Sequence, residues 1–247
     1  RRDIGLDLAR RDRLGQGREE IDPARHDQQQ DQGRDQEAWP ARLGLGSAHC
    51  GAFADLAWRC IAPKVNELTG RLDRPIVLVG LMGVGKSTVG RRLAKRLGLS
   101  FVDSDSAIED ASGFSAAEVY ERYGERDFRD GERRLVARLI DGEVRVIATG
   151  GGAYVDPRTR ELLNERSITV WLDAPVEVLA ERTSRRDTRP LLRNGDPRGT
   201  LERLSEERRP SYAEAHIHVR SGTGAHRDVV DHIIAALDDY LAGSAAG

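Results

Sequence analysis

Lysine is almost missing from this 247-residue chain: Lys64, Lys86 and Lys95 are the only three among 39 basic residues. A GC-rich genome favours arginine codons in this way, and the scarcity makes a lysine inside a motif hard to dismiss as chance. Cysteine is as rare. Cys50 and Cys60 are the whole complement, too few and wrongly spaced for a disulfide framework or a zinc site. No apolar run approaches the roughly 20 residues that span a bilayer. A formal charge of −2 argues against a polybasic binder of nucleic acid or membrane surfaces. The start shows no basic head, apolar stretch and small-residue cleavage site of a signal peptide, so the expected setting is the reducing cytoplasm.

Apolar residues at 38% and charged residues at 32% are enough for a soluble chain with a sizeable core, but they are unevenly placed. Residues 1–64 carry Arg, Asp, Gln and Gly in abundance, with Gln28-Gln29-Gln30 amid a stretch nearly devoid of β-branched and aromatic residues. Such composition buries too little apolar surface to offset chain entropy. The expectation is a disordered leader over 1–64 or an upstream extension that is not translated, with Val65 as the natural start if its codon is a GTG initiator. Residues 65–247 form the expected folded domain.

From Pro75 onward strands and helices alternate. The run Ile76-Val77-Leu78-Val79 reads as a strand buried on both faces. Thr88–Leu97 then sets Val89, Leu93 and Leu97 on one helical face and ends at Gly98. Further strands are expected at Ser100–Val102, Val144–Ala148, Ile168–Leu172 and His216–Val219. Helices are expected from a capping box at Ser115-Ala116-Ala117-Glu118, and over 156–165, 176–184, 200–207 and 226–241. The pattern predicts an α/β domain with a five-stranded parallel sheet between layers of helices.

Directly after the first strand stands Gly80-Leu81-Met82-Gly83-Val84-Gly85-Lys86-Ser87, a G-x-x-x-x-G-K-[ST] phosphate-binding loop. Glycines let successive backbone N–H groups turn inward onto phosphate oxygens. The following helix adds its N-terminal dipole, Lys86 reaches the outer phosphates, and the Ser87 hydroxyl suits Mg²⁺. Asp103-Ser104-Asp105 follows the second strand, where two close carboxylates suit a metal and a substrate hydroxyl. Thr149-Gly150-Gly151-Gly152 follows the third, where the glycines suit close approach of a ligand, with a backbone amide of Gly151 facing it.

Together with Gly124-Glu125-Arg126-Asp127-Phe128-Arg129-Asp130-Gly131-Glu132, Arg189-Pro190-Leu191-Leu192 and Arg208-Arg209-Pro210-Ser211-Tyr212, these motifs resemble shikimate kinase. The resemblance runs from about Pro75 to Leu241, in the family's order and spacing, and leaves residues 1–64 without a counterpart. It implies a P-loop kinase fold and transfer of the γ-phosphoryl group of ATP to the 3-hydroxyl of shikimate, with Mg²⁺ as cofactor.

The resemblance also distributes roles. Gly83, Val84, Gly85, Lys86, Ser87 and Thr88 hold the nucleotide phosphates, and Arg182 flanks the adenine. Lys86 and Arg189 stabilise the transferring phosphoryl group, Arg189 from a mobile lid. Asp105 contacts the attacking hydroxyl, and Asp103 reaches the metal through water, with Ser87 as its direct ligand. Arg129 and Arg208 take the substrate carboxylate, for which their planar forks are suited, Gly151 completes the substrate site, and Glu132 orients Arg129. A monomer is expected. His216, His218, His226 and His232 make no convincing metal set, and Trp171 is expected in the core. The alternatives are another small-metabolite kinase, such as one acting on gluconate, and a non-catalytic shikimate-binding regulator. The regulator should have lost Lys86, Asp105 or Arg189, yet all three are present.

Overall fold

Four consecutive apolar residues with no polar alternation need cover on both sides, and Ile76–Val79 forms such a strand, β1, with all four side chains fully buried. The structure, a computed structural model, describes residues 65–184, 196–221 and 226–244. The expected leader, the lid and Arg189 lie outside these residues. Strand β1 pairs in parallel with β3 (Arg145–Ala148) on one side and β4 (Ile168–Asp173) on the other. β2 (Ser100–Asp103) and β5 (Ile217–Arg220) complete a five-stranded parallel sheet in the order β2-β3-β1-β4-β5. The chain leaves β1 toward β2 and β3 on one flank, then returns to β4 on the other. Ligands of open parallel sheets bind at such a reversal, outside the carboxyl ends of the strands. The phosphate loop begins there.

Helix α1 (Lys86–Leu97) packs on the sheet with Val89, Leu93 and Leu97 buried, the face expected from their spacing. It starts two residues earlier than expected, because Lys86 and Ser87 already belong to its first turn. Helix α2 (Ser104–Ser112) follows β2 with no intervening loop, since Asp103 serves as its N-cap. Helix α3 (Ala116–Ile140) opens with the expected capping box: the Glu118 amide donates to Ser115 Oγ at 3.3 Å, and the Ser115 amide donates to Glu118 Oε2 at 2.9 Å. Gly124, at φ 79° and ψ 170°, breaks α3 into two segments.

The remaining helices are α4 (Pro157–Arg166), α5 (Val176–Ser184), α6 (Pro197–Tyr212) and α7 (His226–Ser244). Helix α6 is longer than expected at both ends. Asp196 caps it ahead of Pro197 at N1, where proline is welcome, and it continues through Pro210 to Tyr212. So near the end, a proline removes little of the helical ladder. Residues 65–71 are also helical, and Val65, Leu68 and Leu72 join the core. Among the described residues no helix is long and apolar enough to cross a membrane.

Gly90 lets α1 lie close to the sheet. A methyl group there would sit 2.5 Å from Phe101 Cε2 and 3.2 Å from Leu78 Cδ1. Gly90→Val should cost about 1–3 kcal/mol through overpacking, read as a lower thermal midpoint. An unchanged midpoint would contradict this packing.

Candidate active site

The phosphate loop closes through two left-handed glycines. Gly83 has φ 81° and Gly85 has φ 97°, conformations that side-chain-bearing residues rarely adopt. Gly83 also packs on α5, where a methyl group would lie 2.7 Å from Thr183 Cγ2 and 3.2 Å from the Leu179 carbonyl oxygen. The Lys86 ammonium folds back along the loop, donating to the carbonyls of Gly80 at 2.7 Å and Leu81 at 3.0 Å. Val84 is buried, and Thr88 is half-buried in the first turn of α1. That turn contains no acidic residue, so its positive dipole end and Lys86 together suit an anion. Arg182, on α5, donates to the Val84 carbonyl at 3.4 Å, which brings it to the rim of the loop.

Ser87 and Asp103 meet beside this turn, the Ser87 hydroxyl donating to Asp103 Oδ2 at 2.6 Å. The other carboxylate oxygen of Asp103 accepts the Asp105 amide at 3.0 Å. A hydroxyl and a carboxylate in contact are hard oxygen donors of the kind Mg²⁺ takes. Because Mg²⁺ is usually held by one or two protein oxygens together with phosphates and water, the pair fits that ion. Among the described residues there is no group of three or more His, Cys, Asp or Glu side chains able to hold a metal. His216 Nδ1 accepts the Thr169 amide at 3.1 Å, and burial pushes its pKa down. Trp171 is buried as expected, with His218 stacked on it at 4.0 Å.

The triple glycine confronts the expected substrate-binding side chains one by one. A methyl group at Gly150 would lie 2.8 Å from Asp105 Oδ1 and 3.1 Å from Glu132 Oε1. At Gly152 it would lie 2.4 Å from Arg129 Nη2. The Gly151 carbonyl accepts Arg208 Nη1 at 3.0 Å. Asp105, Arg129 and Arg208, from three different helices, thus converge on three consecutive residues at the end of β3. The space they fill is the space side chains would have taken. Gly151 also adjoins the phosphate loop: a methyl group there would lie 3.4 Å from the Met82 amide nitrogen and 3.6 Å from the Gly80 carbonyl oxygen.

Arg129 is anchored as its spacing suggested, with Nη1 donating to Glu132 Oε2 at 2.6 Å one turn along α3. The Glu132 side chain is only 2% exposed. Burial lifts its carboxyl above the usual range, and Arg129 pulls it back only in part.

Two further residues hold the glycines, and neither role was read from the sequence. Ser104, fully buried, accepts the Gly150 amide at 3.0 Å. The Tyr212 hydroxyl donates to the Gly151 carbonyl at 2.5 Å. Burial pushes the Tyr212 phenol up to about 12, so at neutral pH it remains a donor. The four-residue step from Arg208 to Tyr212, one turn of a helix, was the available signal for the second.

The sequence profile of the family described as shikimate kinase matches residues 82–238. A shikimate kinase of Paramagnetospirillum magneticum is 55% identical over 174 residues, covering 70% of this chain and 89% of that protein. One of Rhodopseudomonas palustris is 50% identical over 181 residues, covering 73% of this chain and 89% of that protein. Among solved structures, a shikimate kinase from Acinetobacter baumannii in complex with shikimate is similar at 42% identity and a TM-score of 0.63. It covers 65% of this chain and 90% of that one.

The raised carboxyl of Glu132 has a measurable consequence. A carboxyl whose folded-state pKa exceeds its unfolded value holds its proton longer in the folded protein. Its contribution to stability therefore falls as pH rises from the ordinary carboxyl range through the raised value. Glu132→Gln should remove that segment of the stability–pH curve, measured by denaturant midpoints between about pH 4 and 7. Parallel curves for the two proteins would contradict the assignment.

Proposed function

The chain belongs to the shikimate kinase family, and we propose that it transfers the γ-phosphoryl group of ATP to the 3-hydroxyl of shikimate at the site just described. One observation carries the assignment of roles. Each of three consecutive glycines faces one of the groups a hydroxylated carboxylate needs: Asp105 at Gly150, Arg208 at Gly151 and Arg129 at Gly152.

Arg129 and Arg208 bind the substrate carboxylate, whose charge their guanidinium forks match in plane and spacing. The backbone amide of Gly151 adds a donor to the substrate. Asp105 accepts the hydrogen bond of the attacking hydroxyl. As that oxygen bonds to the γ-phosphorus and the bond to ADP breaks, Asp105 takes the proton. Gly83, Val84, Gly85, Lys86, Ser87 and Thr88 hold the phosphates, and Arg182 lies against the base. Lys86 and Arg189 stabilise charge on the phosphoryl group in flight. Ser87 would hold Mg²⁺ directly and Asp103 through water, and the ion would neutralise charge spread over the β- and γ-phosphates. Positioning and electrostatics do the work, and no covalent intermediate on the protein is needed.

The proposed functional unit is residues 65–247, acting as a monomer in the cytoplasm without nucleic-acid or membrane partners. The burial of Val65, Leu68 and Leu72 in the core supports a boundary no later than residue 65.

Coupled measurement of ADP release should show turnover that depends on shikimate and is far weaker with gluconate. Release indifferent to shikimate, from folded protein, would overturn the reading. Asp105→Asn should fold normally and lose about 100- to 10,000-fold in kcat, the usual worth of a positioned base. Near-normal turnover would remove Asp105 from its role.

A further inference from the structure

The triple-glycine loop has four peptide groups, and each is held by a different partner. The Gly150 amide donates to Ser104 Oγ at 3.0 Å. The Gly150 carbonyl accepts the Ala153 amide at 3.2 Å, and the Gly152 carbonyl accepts the Val155 amide at 3.1 Å. Both of those acceptances come from the loop's own 3₁₀ turn, Ala153–Val155. The peptide joining Gly151 to Gly152 is held, like that of the Gly150 amide, from outside the loop, and by two groups at once. Its carbonyl accepts Arg208 Nη1 at 3.0 Å and the Tyr212 hydroxyl at 2.5 Å.

A trans peptide is planar, so fixing the carbonyl of Gly151 fixes the Gly152 amide pointing the opposite way. The amides of Gly151 and Gly152 find no acceptor among the described residues. Glycine peptides reorient readily, because no Cβ restricts either flanking dihedral. Without an external hold, this peptide would therefore pay an ordering cost whenever a ligand used its amide.

Of the two holding groups, Arg208 is the one with other work. If its fork takes the substrate carboxylate, its bond to Gly151 is shared with that task. Tyr212 has no such competing demand. Its ring is 2% exposed, stacks on Trp171 at 6.0 Å between centroids and lies parallel to Tyr154 at 6.4 Å. With only two side-chain torsions and a packed ring, it aims its hydroxyl at one point.

We propose that Tyr212 is a positioning residue for substrate: its hydroxyl locks the Gly151–Gly152 peptide so that the Gly152 amide is preset for the acceptor molecule beside the Gly151 amide, leaving Arg208 to bind the carboxylate. This deepens the shikimate kinase reading and rests on it.

The test compares Tyr212→Phe with Tyr154→Phe in the full chain, using steady-state kinetics in both substrates. Each variant keeps its ring and loses one buried phenol. Tyr154 donates to Asn164 Oδ1 at 2.6 Å, away from the glycine carbonyls, so it controls for a general loss of stability. Tyr212→Phe should raise KM for shikimate about three- to tenfold, the worth of one net hydrogen bond, with KM for ATP unchanged. Tyr154→Phe should change neither. Equal rises in both KM values, an equal effect of Tyr154→Phe, or no change in Tyr212→Phe would each overturn the proposal. Wild-type turnover that ignores shikimate would instead overturn the functional reading, so the two failures are distinguishable.

Discussion

Two donors of one residue converge on one carbonyl at the middle of the sheet. The Thr149 amide and hydroxyl both reach the Leu78 oxygen, at 3.2 and 3.1 Å, with Thr149 only 3% exposed. Leu78 stands two residues before the phosphate loop and Thr149 one residue before the triple glycine. This clasp therefore sets the gap between the two loops, one suited to phosphates and the other ringed by Asp105, Arg129 and Arg208. Burial makes it firm, since a broken hydrogen bond there would leave polar atoms with no water to replace it. A phosphoryl donor and acceptor need alignment within fractions of an ångström, and parallel strands paired this close to their ends supply a rigid base for it.

Charge is arranged on the same frame. Cations gather at the phosphate loop and at the triple glycine, and three of them are tied to protein oxygens. Lys86 rests on the loop carbonyls, Arg129 on a buried carboxylate, and Arg208 on the Gly151 carbonyl. Glu132 bears the cost of burial that its raised pKa records, while holding the Arg129 fork in one orientation. An arginine carries five N–H donors in one fixed plane, so Arg129 and Arg208 each keep donors in a defined orientation after one is anchored.

Much of this was legible in the residues alone, where local pattern and local chemistry agree. An unbroken apolar run followed by a glycine-rich Lys-Ser turn identifies β1 and its loop, and the i, i+3 spacing of Arg129 and Glu132 anticipates their ion pair. The strands were read to within a residue, most simply β1, β3 and β4, whose nearly continuous burial leaves no competing pattern. Tertiary relationships were not legible. Asp103-Ser104-Asp105 reads as a strand end bearing two acids, whereas Asp103 caps a helix and the middle serine turns inward to hold Gly150. Helix α6 reads as ending before Pro210, and its extension brings Tyr212 onto the glycine loop. The role of Gly152 as a seat for Arg129 depends on a contact between residues more than twenty positions apart, which no local window contains.

If the two loops form one site, the phosphoryl group of ATP passes to a hydroxyl of shikimate and not to water. Phosphorus and proton NMR of a mixture of the protein, ATP, Mg²⁺ and shikimate tests it most directly. The expected result is a single new phosphomonoester coupled to the proton on carbon 3, growing in step with ADP. Inorganic phosphate alone, or a phosphomonoester on another carbon, would contradict it.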